Sequence, residues 1–223
     1  MPSKEMSDFL RVALDVQESP YDGIRCVGGL MAATNGTMFV AWNASGNFVS
    51  GEGMLAPQTA QVLAALADAT YLRRIVVSGN HVTLEAQTTR LEPNVGVVYG
   101  DYQTVTLPQF YCRVVQIEQL YAKLSSVDLA WAKIAEAPSL RAVKDAGAKA
   151  MLALVDAPRT GGELFRQKED GDALWYSASQ LQRGLRLFRA KARLVVSRSR
   201  DGWLKFEDGF GRVFAVTPFR RLD

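Results

Sequence analysis

Few residues of this 223-residue chain have the chemistry of catalysis or metal binding. There is one histidine, His81, next to a predicted turn, and the two cysteines, Cys26 and Cys112, are far apart in apolar contexts. One histidine and two distant cysteines cannot complete a usual zinc site, and no pattern indicates partners for His81 in a Ser-His-Asp triad. The acidic run at 169–172 is better explained by a polar loop than by a metal site.

Motifs for nucleotide chemistry are also missing. Neither G-x-x-x-x-G-K-[ST] nor G-x-G-x-x-G occurs where a strand would lead into a helix, so nucleotide hydrolysis and dinucleotide binding have no support. Two widely spaced cysteines in apolar contexts are typical of buried, reduced thiols in a cytosolic protein. The sequence therefore predicts a binding protein without cofactor or metal. An enzyme whose site no pattern reveals is one alternative.

Arginine and lysine are the side chains whose spacing does indicate a function. The stretch RGLRLFRAK, residues 183–191, places Arg183, Arg186 and Arg189 at helical spacing along one face. Such a face attracts nucleic-acid phosphates without reading bases, and the attraction weakens as salt rises. A solvated helix face with no ligand would show the same pattern.

Charge is divided unevenly between the two halves of the chain. Residues 1–112 contain 6 Lys/Arg and 10 Asp/Glu, a net charge of −4, and residues 113–223 contain 20 and 13, a net charge of +7. This asymmetry suggests that one part faces a polyanion, or that the halves of different copies attract each other. Chance variation of solvated surface charge is the other explanation.

Hydrophobic periodicity predicts two helices in the first half. SDFLRVALDV has an apolar set at helical spacing. PQTAQVLAALADA opens on Pro57, which is well tolerated in the first turn of a helix. The predicted apolar stripe of this second helix is Val62, Leu63, Leu66 and Ala67.

Turn signals divide the rest of the first half into strands. IRCVGGLMAAT and NGTMFVAWNA predict strands joined by an Asn35-Gly36 hairpin. RIVVSG and HVTLEAQT predict a further pair around Gly79-Asn80. Two more short strands, TRLEPNVGVVYG and DYQTVTL, then lead to Pro108.

The second half begins again with a helix. VVQIEQLYAKL is amphipathic, and DLAWAKIAEA predicts that the helix resumes after a break at 125–126. KAMLALVD and ELFRQK predict strands, and SASQLQRGLRLFR predicts a helix capped by Ser177 or Ser179. The chain ends on three predicted strands, ARLVVSRS, GWLKFED and RVFAVTPF, with Asp-Gly turns at 201–202 and 208–209.

Both halves run helix, strands, helix and three strands, so we predict an internal repeat and an α+β class. The predicted domains are residues 1–109 and 110–223, with a linker near 108–113. The sequence contains no run of 18 apolar residues, so we expect no membrane span. The N-terminal stretch MPSKEMSDFL lacks the apolar segment of a secretory signal. These features predict a cytoplasmic protein.

Stretches at both ends of the chain carry a family resemblance. SASQLQRGLRLF, a strand and then FEDGFGRVFAVTPFR place an apolar strand before a Pro-Arg segment at the chain end. This order resembles the C-terminal domain of bacterial-type DNA polymerase sliding clamps. In the first half, MAATNGTMFVAW is similar to the Ala-Thr-Asp-Gly strand turn of that family's middle domain, and GDYQTVTLP to its Pro-Asp-Tyr segment. The resemblance covers nearly the whole chain.

The resemblance implies a fold and a function. The fold would be two tandem clamp domains, with helices on the inner face of a ring and antiparallel sheets outside. Bacterial clamps have three such domains and close as dimers, which gives a ring of six domains. With two domains, this chain would need three copies to form such a ring. A two-domain version of a bacterial-type clamp suggests a phage origin. Thr217 stands where bacterial clamps commonly carry Met, and Asn35 where they carry Asp. The implied function is a processivity factor that encircles duplex DNA and tethers the replicative polymerase.

Two sets of residues follow from the resemblance. The cations expected to face double-stranded DNA are Arg11, Arg73, Arg74, Lys123, Lys133, Arg183, Arg186, Arg189 and Lys191. Polymerase and clamp loader would insert short apolar peptides into a cleft lined by Tyr21, Thr34, Gly36, Thr37, Phe39, Pro108, Ala215, Val216 and Thr217. Pro218 would end the last strand at the rim of this cleft, where the terminal arginines, Arg220 and Arg221, could meet an acidic group on the peptide. A DNA-binding replication or recombination accessory protein that forms no ring is the alternative.

Overall fold

The computed structural model describes residues 2–17, 22–93, 96–110, 117–125, 131–137, 164–168, 173–188 and 192–218. The chain divides into two compact units. The first comprises Met1–Asn35 and Trp42–Val115, and the second comprises Gly36–Ala41 and Gln116–Asp223. Each unit combines helices with mostly antiparallel strands, which confirms the predicted α+β class.

The elements of the described residues alternate between helices and groups of strands. In chain order they are α1 (Pro2–Val16), β1 (Ile24–Val27), β2 (Leu30–Thr34), β3 (Met38–Asn43), β4 (Val49–Leu55), α2 (Pro57–Ala69), β5 (Thr70–Val77), β6 (His81–Glu92), β7 (Gly96–Pro108), α3 (Ile117–Ser125), β8 (Ala132–Ala137), β9 (Leu164–Lys168), β10 (Ala173–Ser177), α4 (Ala178–Leu185), β11 (Leu194–Arg198), β12 (Leu204–Asp208) and β13 (Arg212–Val216). None of the described helices is both long enough and apolar enough to cross a membrane.

In the first unit the strand order is β7-β6-β5-β4-β1-β2, and only the β4–β5 pair is parallel. Helices α1 and α2 pack together and contact β5. Their buried faces include Phe9, Leu10 and Leu63. The predicted stripe of α2 is partly wrong: Val62 is 47% exposed, and the buried residues are Thr59, Ala60, Leu63, Ala64 and Ala67.

A tight Gly28-Gly29 turn divides the first predicted strand into β1 and β2. Val27 lies opposite Leu30, and both glycines have positive φ, 54° and 103°. A two-residue hairpin loop needs this conformation, which glycine adopts at little cost. The Asn35-Gly36 signal coincides with a bend before β3, where Gly36 has φ 89°.

The predicted division of the stretch before Pro108 into two short strands is wrong: TRLE belongs to β6, and β7 runs unbroken from Gly96 to Pro108. The sequence pattern treated Gly100 as a break. In the structure a Cβ atom at Gly100 would lie 2.6 Å from the Thr88 hydroxyl, so the glycine lets the neighbouring strand approach.

The second unit contains the order β3-β13-β12-β11-β8, and β9 pairs with β10 in a separate two-stranded sheet. The helix predicted for DLAWAKIAEA is wrong over 132–137, which forms β8 and pairs antiparallel with β11. Pairing across the sheet overrides the helix propensity of Ala, Lys and Glu here. Strand β10 was not predicted, and KAMLALVD lies outside the described residues.

Candidate functional site

Helix α4 and the residue that follows it carry two cations of the predicted DNA surface, Arg183 and Arg186. Ser177 caps the helix, because its side-chain oxygen accepts a hydrogen bond from the backbone N–H of Gln180 at 3.4 Å. Leu181 and Leu185 are buried, whereas Arg183 and Arg186 are exposed. The helix therefore presents an apolar face to its own unit and a basic face to solvent.

Gly184 sets how closely α4 approaches the sheet. A Cβ atom at this position would lie 2.1 Å from the ring of Phe214 on β13. Phe214 is fully buried and stacks on Phe206 with ring centroids 5.5 Å apart. The absence of a side chain at Gly184 thus allows direct contact between helix and aromatic ring, an arrangement that sequence periodicity did not predict.

Arg212, just after the predicted turn at 208–209, is a buried cation. Its side chain is buried, with 1% exposure, and Nη1 donates a hydrogen bond to the Leu187 carbonyl at 3.1 Å. The Asp208 carboxylate accepts hydrogen bonds from the backbone N–H groups of Phe210 and Arg212 at 2.9 and 3.1 Å. Arg212 therefore fastens the turn before β13 to the residues that follow α4. Arg220 and Arg221 lie outside the described residues.

The other helix-associated cations are spread over several elements. Arg11 on α1 is exposed and forms an ion pair with Asp68 on α2. Lys123 is exposed at the end of α3, and Lys133 is exposed on β8 rather than on a helix. Arg189 and Lys191 lie outside the described residues.

Arg73 and Arg74 lie on strand β5, not at a helix end. Both are exposed, whereas Leu72 and Ile75 of the same strand are fully buried. Since α1 and α2 contact β5 from the buried side, the two arginines occupy the opposite face of the sheet. Glu85 on β6 lies directly across from Arg74.

The predicted peptide cleft has a compact cluster in the second unit. The Thr217 backbone N–H donates to the Thr37 carbonyl at 2.9 Å, and Gln180 Nε2 donates to the Thr37 hydroxyl at 2.7 Å. The ring of Phe39 lies 6.1 Å from that of Tyr121 on α3. The contacts bring together the start of β3, the end of β13 and two helices; Gln180 and Tyr121 were not predicted from the sequence.

Exposure divides this cluster into a surface and a support. Phe39, Ala215 and Val216 are fully buried, whereas Thr37 and Thr217 remain partly exposed. Thr37 and Thr217 thus form the accessible part of the cluster, and the apolar side chains form its buried part.

The remaining predicted cleft residues lie elsewhere along the chain. In the first unit Thr34 is buried at the end of β2, and Pro108 is exposed at the end of β7. The Pro108 carbonyl accepts a hydrogen bond from the Thr59 hydroxyl at 3.0 Å. Gly36 is exposed in the bend before β3, and Tyr21 lies outside the described residues.

Cys26 and His81 are the described residues whose side chains could take part in catalysis. Cys26 is a buried free thiol, and burial raises its pKa to about 12, outweighing the opposing effect of Arg25. His81 is exposed, with Nδ1 3.2 Å from the Ser78 hydroxyl. Within the described ranges, no three His, Cys, Asp or Glu side chains group together as metal ligands. Cys112 and residues 169–172 lie outside those ranges.

Solved structures with a similar fold include several DNA polymerase sliding clamps. The chain is similar to a putative DNA polymerase III beta subunit from Eubacterium rectale, with a TM-score of 0.56 and 11% identity over 98% of this chain and 64% of that one. It is similar to the DNA polymerase sliding clamp from Pseudomonas aeruginosa, with a TM-score of 0.57 and 13% identity over 98% of this chain and 65% of that one. It is also similar to a sliding clamp from Bartonella birtlesii bound to griselimycin, with a TM-score of 0.57 and 9% identity over 98% of this chain and 64% of that one.

The chain therefore has the sliding-clamp fold, as the sequence resemblance predicted. It spans less than two thirds of the length of these clamps. No family model matches the sequence, and no curated protein sequence matches it.

Proposed function

We propose that this chain is a DNA sliding clamp, a non-enzymatic processivity factor that encircles duplex DNA and tethers a replicative polymerase. The sliding-clamp fold over 98% of the chain is the observation that carries the proposal. The basic face of α4 supports it, because exposed arginines attract phosphates without reading sequence. Such a protein acts in the cytoplasm, in that of a bacterial host if a phage encodes it.

The ring would contain three copies. The chain covers 64% of the Eubacterium rectale clamp, close to the two thirds expected if two of three domains are present, here residues 1–109 and 110–223. Three two-domain chains then make the six domains of a ring. Strand β7 is last in the first unit's strand order, and most of its side chains are exposed. We propose that this edge joins the second domain of the next copy head to tail, aided by the −4 and +7 charges of the two halves.

In this function the DNA path rests on Arg183 of α4 and on Arg186 directly after it, with Arg11 and Lys123 on other helices and Lys133 on β8. Arg189 and Lys191 extend the same basic stretch in sequence. Arg73 and Arg74, on the face of the sheet away from α1 and α2, are outside this path.

The polymerase and the clamp loader would dock short apolar peptides at the cluster around Thr37 and Thr217. Its partly exposed threonines and buried apolar residues suit a peptide with a few anchoring side chains. The resemblance to sliding clamps assigns four further residues to the same proposed cleft: Tyr21, Thr34, Gly36 and Pro108. Deleting residues 217–223 should abolish stimulation of the partner polymerase while the protein remains a trimer. Phe210→Ala, at a 61% exposed position in the turn before β13, is the control and should stimulate normally. Full stimulation by the deletion variant would place the docking site elsewhere.

Topology provides the test of encirclement. Protein loaded on a nicked circular plasmid by its clamp loader should remain bound at high salt and should be released when the plasmid is linearised. A closed ring holds DNA by its topology and not by affinity, so salt alone does not free it. Direct binding to linear DNA, lost in high salt on circular and linear DNA alike, would instead identify a DNA-binding accessory protein without a ring.

A further inference from the structure

Two adjacent arginines on β5 face the same side of the sheet. Neighbouring residues of a regular strand point to opposite faces. The β5–β6 register shifts between Leu72 and Arg74, and this bulge leaves both Arg73 and Arg74 exposed between the buried Leu72 and Ile75. Bulges re-aim side chains and recur beside functional sites. The bulge thus creates a pair of neighbouring guanidinium groups.

The partners of these arginines set them apart from other cations of the first unit. Lys4 pairs with Asp8 at 3.6 Å, and Arg25 pairs with Glu52 at 2.5 Å. Arg11 pairs with Asp68. Arg73 Nε lies 3.9 Å from Glu85 Oε2, a distant contact for an ion pair. Within the described part of the chain, the Arg74 guanidinium has no hydrogen bond or ion pair.

The pair borders an open cleft of about 590 Å³, lined by Gly46, Asn47, Arg73, Arg74 and Glu85. The Arg73 guanidinium lies 5.1 Å from the centroid of the Tyr102 ring, which holds it in place by a cation–π contact. Two guanidinium groups face one carboxylate, so the cleft keeps a net positive charge within a half of the chain whose net charge is −4. A guanidinium binds a carboxylate through two parallel hydrogen bonds.

We propose that this cleft is a docking site for an acidic peptide segment of a partner protein, with Arg74 as the main anchor and Arg73 as a positioned second donor. Two cations in one cleft match one or two carboxylates. Duplex DNA needs a longer track of cations, and the net negative charge of this half disfavours such an extended polyanion. The site is separate from the proposed DNA path and peptide cleft, and it does not depend on ring formation.

Fluorescence anisotropy with a labelled octaglutamate peptide tests the proposal on the full chain at low salt, with octaglutamine as the uncharged control peptide. Arg74→Ala should weaken octaglutamate binding by about five- to tenfold, because it removes a charged hydrogen-bond donor. Glu85→Gln should strengthen it by about two- to threefold, because the single opposing charge is gone. Lys4→Ala, an exposed cation outside the cleft, is the matched control and should bind like the wild type.

The opposite signs for Arg74→Ala and Glu85→Gln identify the cleft. Wild-type protein that fails to bind octaglutamate, or equal affinities for these two variants, would overturn the proposal. Tighter binding of a duplex of about 20 base pairs than of octaglutamate, also lost in Arg74→Ala, would assign the cleft to DNA instead. The native mass of each variant is measured in parallel, so a failure of ring assembly is distinguished from a failure of this site.

Discussion

At the scale of residues, single side chains decide how the basic surface is held. Gly184 allows α4 to lie against Phe214, and Arg212 ties the turn before β13 to the Leu187 carbonyl. Neither role was predictable from the sequence. A glycine in a helix pattern and an arginine after a turn have many explanations, and only the packing of α4 against β13 selects one.

Gly184→Ala tests the close contact between α4 and β13. Alanine is the better helix former by about 1 kcal/mol, so propensity alone predicts a gain in stability. We expect a net loss of about 1–3 kcal/mol in the free energy of unfolding, because the added methyl group would overlap the buried Phe214 ring. Urea unfolding measures it. The control is Gly209→Ala, because a Cβ atom at this position meets no atom within 4 Å. If Gly184→Ala were as stable as the wild type or more stable, the packing argument would be refuted.

At the scale of elements, strong local signals were sufficient for some segments and misleading for others. Pro57 and the apolar spacing predicted α2, and Ser177 was one of two caps predicted for α4; both helices form. The helix predicted at 132–137 is a strand because β11 offers it an edge, and no local pattern reports a partner 60 residues away in sequence. The break predicted at Gly100 failed for a similar reason, since its role depends on Thr88 across the sheet.

The basic face of α4 gives the prediction at this scale. Arg183→Ala combined with Arg186→Ala should reduce the amount of protein loaded on circular DNA. The slope of log loading against log salt concentration should become shallower by about one to two, because one to two phosphate contacts are lost. The native mass should be unchanged, because both side chains are exposed. The control is Arg200→Ala, which removes an exposed arginine from the turn between β11 and β12. An unaltered loading yield for the α4 pair would remove this helix from the DNA path.

At the scale of the whole molecule, the fold was predictable from motif order although each motif is short. The hairpin at Asn35-Gly36 and the terminal strand before Pro218 gave the clamp resemblance, and the comparison with solved clamps confirms the fold at identities of 8–13%. The residues of the proposed peptide cleft were less predictable. Sequence motifs marked Phe39 and Val216 as lining, but burial places both beneath Thr37 and Thr217. Strand patterns alone do not distinguish a lining residue from its support.

The central claim is that copies of this chain close into a ring of three, and native mass spectrometry at micromolar concentration tests it most directly. With a chain mass of 24.5 kDa, three copies give 3 × 24.5 = 73.5 kDa. We expect this species to dominate at low salt, where the opposite charges of the two halves attract most strongly. A single species at the mass of one or two chains across the same concentrations would contradict the account.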